Sequence, residues 1–370
     1  MVVSLRVVLD QLSQVVDPDI AAAEREVAAA LVATAPRGCA VEAVVPAGDE
    51  AVAESAVPGL IGVTRTSLSR ARLSAAWQVG VSAGAGAGLI HAPSLFAPLV
   101  RHDRVNENDQ TVVTVWDLTA WEHPGLLPKT AVMAQRTLLK RAEKHADALV
   151  VPTHSMAERL SGLGRFGGRI RVIAGAAPAG FAAPTDAVGR RRELRVPEGA
   201  IVLAAAGCED EALSAGFAAV AAATGETGAD LVVLDVPDAR AARVRELATA
   251  AGVPQGRLRV TAPLEATDRA AVLADALALL APSGTSAFCW RVVEALALGV
   301  PVVAATSAVH DEVLVDGGVY APAAELGEAL RALVTGEADR RRASVAALDR
   351  SKAYSWRDHA ERVWALHGEL

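Results

Sequence analysis

The feature that most constrains this chain is a regular alternation of short Val/Ile/Leu runs with longer Ala-rich stretches of helical period. Parallel strands are buried on both faces, so they read as near-continuous apolar runs, and each pair needs a crossover, usually a helix, between its members. The alternation therefore predicts βαβ units around parallel sheets. In the first half the strand segments are residues 5–9, 41–45, 89–91, 111–115, 148–151 and 169–173, with helices over 20–32 and 131–145 among those between them. In the second half strands fall at 201–205, 231–235, 258–261, 277–280 and 302–304. Helices at 211–223, 238–251, 266–273 and 291–298 separate these, and a last amphipathic helix covers 356–367. Between the two series the pattern breaks at 175–195, which holds Gly175, Pro178, Gly180, Pro184, Gly189 and the basic cluster Arg190, Arg191 and Arg192.

The expected fold class is α/β, with two Rossmann-like doubly wound domains facing a cleft. The boundaries read as 1–177 for the first domain, 178–193 for a linker and 194–352 for the second domain. A C-terminal helix in 353–370 is expected to pack back toward the first domain. A length of 370 residues fits two domains at about 150 residues each. Open α/β sheets bind ligands beyond the carboxyl ends of their strands, which makes the cleft the expected site.

Composition removes several function classes. A net charge of −7 argues against a nucleic-acid partner. The three cysteines, Cys39, Cys208 and Cys289, form no CxxC pair, and the eight histidines show no HExxH spacing. Neither a metal nor a cofactor is expected. The N-terminus MVVSLRVVLD lacks the basic region and small-residue site of a signal peptide, and no apolar run approaches the ~18 residues of a membrane span. The expected location is the cytoplasm.

Glycines 80, 84, 86 and 88 invite a dinucleotide reading, but Leu89 stands where a third fingerprint glycine belongs, and the cluster precedes a strand instead of following one. It reads as a loop, and no phosphate-binding GxxxxGK[ST] occurs. The most informative segment runs from Pro282 to Val303. A strand ends at Pro282, a loop follows, a helix begins near Arg291, and Gly299-Val300-Pro301 closes it. Such a strand–loop–helix directs backbone N–H groups and the helix dipole at a bound phosphate. Glu294, one turn into the helix, is placed to accept both hydroxyls of a ribose. An ordinary βαβ turn with a solvated Glu294 has the same spacing.

This segment resembles the donor-site signature of the GT-B retaining glycosyltransferases of family four, the mannosyl- and glucosyltransferases of cell-envelope synthesis, including actinobacterial ones. The run Glu294-Ala295-Leu296-Ala297-Leu298-Gly299-Val300-Pro301-Val302 follows the family's E-A-x-A-x-G-x-P-V. LIHAPSLFAP (89–98), TVVTVWDLTAWEHPGLLP (111–128), RAEKHADALVVPTHSMAERL (141–160), the strand at 201–207 and Ser355-Trp356 resemble further family segments in order. The resemblance implies metal-independent transfer of a hexose from a UDP- or GDP-linked sugar to an envelope glycan or lipid-linked acceptor. It also implies peripheral contact at the inner membrane face, for which Arg136, Lys140 and Lys144 form a basic helix stripe.

The chain departs from the family at four places. The leading Glu of its E-x7-E pair falls on Ser286, and the histidine of its "tvHD" falls on Trp116. The Arg and Lys that neutralise the donor diphosphate are missing from Gly207-Cys208-Glu209-Asp210-Glu211-Ala212-Leu213. The N-terminal glycine loop reads Asp17-Pro18-Asp19-Ile20-Ala21. Carried over by position, the donor-binding set is Gly207, Ser286, Ala287, Phe288, Cys289, Arg291 and Glu294, with Arg291 offsetting the missing cations. The catalytic set is Trp116 and Asp117, with His91 and His123 as replacements for the lost histidine. The three acids at 209–211 predict weak donor binding. The alternative to an active transferase is a catalytically impaired relative that acts as a binding subunit, for instance beside a partner glycosyltransferase.

Overall fold

The computed structural model describes residues 2–103, 108–225 and 228–370. The chain forms two units, one made of Met1–Gly175 with Ser355–Leu370 and the other of Ala176–Tyr354. In the first unit the strands are β1 (Val3–Val8), β2 (Cys39–Val45), β3 (Gly62–Arg65), β4 (Leu89–Ala92), β5 (Gln110–Thr114), β6 (Ala148–Val151) and β7 (Ile170–Val172). They pair in the order β3-β2-β1-β4-β5-β6-β7, and every pairing is parallel. In the second unit β8 (Ile201–Ala204), β9 (Leu231–Leu234), β10 (Leu258–Val260), β11 (Ala278–Ala281), β12 (Val302–Ala305) and β13 (Val319–Ala321) pair in the order β10-β9-β8-β11-β12-β13, again all parallel. The strand order reverses between β1 and β4 and between β8 and β11, the point at which a doubly wound sheet opens a ligand crevice.

Side chains of β8, β9 and β11 are almost wholly buried, as the unbroken apolar runs require. The edge strands β3 and β13 are different. GVTR and VYA are short and partly exposed, and their residues carry no apolar run to announce them. Gly216 lets the helix Asp210–Thr224 press onto β8: a Cβ there would stand 3.0 Å from Leu203 Cδ1 and 3.2 Å from Pro282 Cγ. The stretch expected as a linker contains the helix Ala187–Leu194, which belongs to the second unit. Its polar, Arg-rich composition comes from ion pairs: Arg190 with Asp268, and Arg191 with Asp275.

The final helix, Trp356–Glu369, lies in the first unit. Ser355 caps it by accepting the N–H groups of Arg357 and Asp358. Its inner face is fixed by specific hydrogen bonds. Trp364 Nε1 donates to the Leu31 carbonyl at 3.1 Å, His359 Nδ1 lies 2.9 Å from the Ala174 carbonyl, and His367 Nδ1 lies 3.0 Å from Gln110 Oε1. No helix among the described residues is long and apolar enough to cross a membrane.

Burial pushes the pKa values of His359 and His367 down to about 4, so the fold holds both rings neutral. In the unfolded chain they titrate near 6.5. Stability from the neutral rings is therefore complete above pH 6.5 and lost progressively as pH falls toward 4, by about 1.4 kcal/mol per ring and pH unit. Urea unfolding monitored by tryptophan fluorescence between pH 7.5 and 4.5 should show this loss. His359→Asn together with His367→Gln should make it shallower, leaving the part that the buried His91 contributes.

Candidate functional site

The carboxyl edge of the second sheet is organised by the loops after β8 and β11. Gly207 follows β8 in a left-handed conformation (φ +68°), with open space where a Cβ would stand. Its carbonyl accepts from Ser283 Oγ at 3.4 Å and Thr285 Oγ1 at 3.2 Å, which ties the two loops together. Beyond Ser286, Ala287, Phe288 and Cys289, the helix Trp290–Ala297 begins without a side-chain cap. It ends at Gly299, whose φ of +69° allows the Val300 N–H to reach back to the Ala295 carbonyl at 2.9 Å. Ser286 and Phe288 are buried, and Ala287 and Cys289 are half-buried.

Glu294 is 2% exposed and both carboxylate oxygens are engaged. Arg269, from the helix Ala266–Leu273, donates through Nε to Oε2 at 2.9 Å and through Nη2 to Oε1 at 2.5 Å. Arg291 adds a bond from Nη1 to Oε1 at 3.1 Å and donates through Nε to Asp235 Oδ2 at 2.5 Å. Asp235 immediately follows β9 with φ +62°. The four charges alternate as Asp235, Arg291, Glu294, Arg269 and sum to zero. They link the carboxyl ends of β9, β11 and β10, which supply them.

This arrangement corrects the expectation for Arg291. It is 6% exposed, and its charge is balanced by two carboxylates, so it is not a phosphate-facing cation at the helix start. The acidic loop also differs from its reading as three uncompensated charges. Asp210 receives Arg240 Nη2 at 3.1 Å and Arg243 Nε at 2.8 Å, and Arg240 Nη1 donates to the Cys208 carbonyl at 3.0 Å. Arg243 first, then Arg240, holds the Asp210 carboxyl below its ordinary range. Both arginines come from the helix Asp238–Ala250, beyond the next strand, so the loop sequence alone could not show them. Cys208 is buried, and its thiol is pushed up to about 12, which leaves it no nucleophilic role.

In the first unit the four candidate catalytic residues divide into two kinds. His91, on β4, is fully buried, with its ring 5.7 Å edge-on from that of His367. Burial and then His367 hold its pKa well below the usual value, so it is a neutral core histidine and not an accessible acid or base. Trp116 is 3% exposed, donates through Nε1 to the Pro93 carbonyl at 2.7 Å and stacks on His359 at 6.1 Å. It fills the seat of the final helix. Asp117 and His123 remain half-buried just beyond β5, where Asp117 Oδ1 accepts the Thr119 N–H at 2.9 Å. Across from them Asp17 caps the helix Pro18–Ala33, its carboxyl raised to about 6 by burial and by the neighbouring charges of Asp19 and Asp117. Of the basic stripe, Lys140 and Lys144 are exposed, while Arg136 donates to the Ala120 carbonyl through Nε and Nη2.

Residues 225–350, roughly a third of the chain, match the family Glycosyl transferases group 1. No curated protein sequence matches the chain. Among solved structures, sucrose-phosphate synthase from Thermosynechococcus elongatus is 19% identical with a TM-score of 0.71, over 100% of this chain and 99% of that one. Anabaena HepE, determined in complex with UDP and glucose, is 15% identical with a TM-score of 0.69, over 99% and 100%. WaaG, a glycosyltransferase of lipopolysaccharide biosynthesis, is 14% identical with a TM-score of 0.66, over 98% of each. At these identities the likeness is one of fold, and the architecture is GT-B. With the matched domain it supports a glycosyltransferase enzyme.

Breaking a buried charge pair leaves its partner uncompensated and costs about 3–5 kcal/mol. Arg291→Ala should therefore lower the unfolding free energy of the second unit by that amount, read from the denaturant midpoint. Arg291→Ala together with Asp235→Ala should lose less than the two single changes combined.

Proposed function

We propose that this chain transfers a hexose, mannose or glucose, from a UDP- or GDP-linked sugar to a glycan or lipid-linked acceptor, with retention of anomeric configuration. The observation that carries this reading is the family match over 225–350, which contains the whole Pro282–Val303 segment. The UDP and glucose held by the structural neighbour HepE support the donor class. The second unit binds the donor. Its diphosphate lies against the uncapped helix at Trp290, the backbone at Gly207 and the loop through Ser286, Ala287, Phe288 and Cys289. Arg240 supplies the positive charge that the loop after β8 lacks, being anchored there on the Cys208 carbonyl and Asp210. Arg291 acts by holding Glu294 in place.

Asp117 and His123 stand on the acceptor side, with the Asp17 carboxyl available as a proton carrier near neutral pH. The reaction needs no metal, because Arg240 and the helix terminus balance the leaving diphosphate. Lys140 and Lys144 bring the first unit to an anionic inner membrane face. A second reading, a binding subunit without turnover, is favoured by the engaged oxygens of Glu294.

Calorimetric titration with UDP-glucose and GDP-mannose tests the donor assignment. One of them should bind, weaker than about 0.1 mM, and Arg240→Ala should weaken it about tenfold. NMR of the product, with EDTA present, should show the donor's anomeric configuration retained. Binding without turnover selects the second reading, and no binding of any nucleotide sugar overturns both.

A further inference from the structure

Every nitrogen of the Arg269 guanidinium is committed. Nε and Nη2 grip the two oxygens of Glu294, and Nη1 donates to the Leu264 carbonyl at 2.6 Å. Arg269 is itself 5% exposed. A carboxylate offers about four acceptor positions. On Glu294, Oε1 already receives Arg269 Nη2 and Arg291 Nη1, and Oε2 receives Arg269 Nε.

A ribose cis-diol presents two neutral hydroxyl donors to such a carboxylate. The guanidinium presents two charged, parallel N–H donors in a rigid fork, and charge-assisted bonds of this kind are roughly twice as strong as neutral ones. The guanidinium is also held from behind by Leu264, so it occupies the carboxylate without first having to be ordered. In direct competition for Glu294 the internal fork wins.

From this competition we infer that Arg269 takes the place of the donor's ribose on Glu294, so that this chain recognises its nucleotide without gripping the 2′- and 3′-hydroxyls. This rests on the reading of the second unit as the donor-binding unit. It makes Arg269 a positioning residue that sets which part of the donor is read: the diphosphate and base, with the ribose hydroxyls left unread. It also predicts weak binding by a route other than the acids at 209–211.

The test compares UDP with 2′,3′-dideoxy-UDP by calorimetry, in the wild type, Arg269→Met and Arg269→Lys. The wild type should bind the two nucleotides within about twofold of each other. Arg269→Met keeps the length of the side chain, frees Oε2 of Glu294 and leaves Oε1 with only the bond from Arg291. It should bind UDP more tightly than the wild type and prefer it over the dideoxy nucleotide by about tenfold. Arg269→Lys retains the buried positive charge and releases one oxygen. It should show a smaller preference of the same sign, and it carries the comparison if the Met variant does not fold. A merely structural role for Arg269 would alter stability, or both affinities together, and would not create a preference. A wild type that already favours UDP tenfold overturns the inference and leaves the donor assignment standing. So does a preference that stays unchanged in both variants. Absence of binding by UDP and by UDP-glucose in all three proteins overturns the donor assignment and the inference with it.

Discussion

Four alternating charges, Asp235, Arg291, Glu294 and Arg269, hold the carboxyl edge of the second sheet in its observed form. They come from segments following three different strands, and each is buried among the ends of β9, β10 and β11. Removing these charges from water is costly, and the cost is recovered only when geometry and pairing are complete. The chain meets that demand at Glu294, with a forked contact from Arg269 and a second contact from Arg291 on the same carboxylate, while at Asp235 only Oδ2 is paired and Oδ1 is buried without a hydrogen-bond partner among the described residues. The loops after β8 and β11, which Ser283 and Thr285 join at Gly207, sit on this frame.

A site framed in this way differs from one lined by free charges. Glu294 and Arg291 are engaged as scaffolding, and in the proposed reading it is the backbone N–H groups and Arg240, anchored on the Cys208 carbonyl, that meet the phosphate. The three-acid loop after β8 then has a structural meaning. Asp210 anchors Arg240 and Arg243, so a carboxylate that looked like a source of repulsion positions two cations. The first unit shows a parallel substitution. Trp116 and His91, at positions where catalytic groups were expected, instead seat the final helix together with His359 and His367.

The fold was legible in the sequence because a parallel strand buried on both faces has no alternation to obscure it. LVVL at 231–234 and ALLA at 278–281 announce themselves, while the half-exposed GVTR and VYA at the sheet edges do not. The helix Ala187–Leu194 was hidden because its arginines serve ion pairs to a segment about 80 residues away. The position of Glu294 was legible from the strand–loop–helix grammar around it. Its partners were not, since Arg269 stands 25 residues before it, and Asp235 stands 56 residues before Arg291. An arginine in the Ala-rich ATDRAAVL helix was a usable signal, because such a helix packs closely and buries what it carries.

The claim that the second unit receives the donor at this carboxyl edge is tested most directly by hydrogen–deuterium exchange with and without UDP-glucose. The account predicts added protection confined to the backbone of 205–208 and 283–291, on either side of the β8–β11 reversal. Protection located elsewhere in the chain, or none at saturating nucleotide sugar, would contradict it.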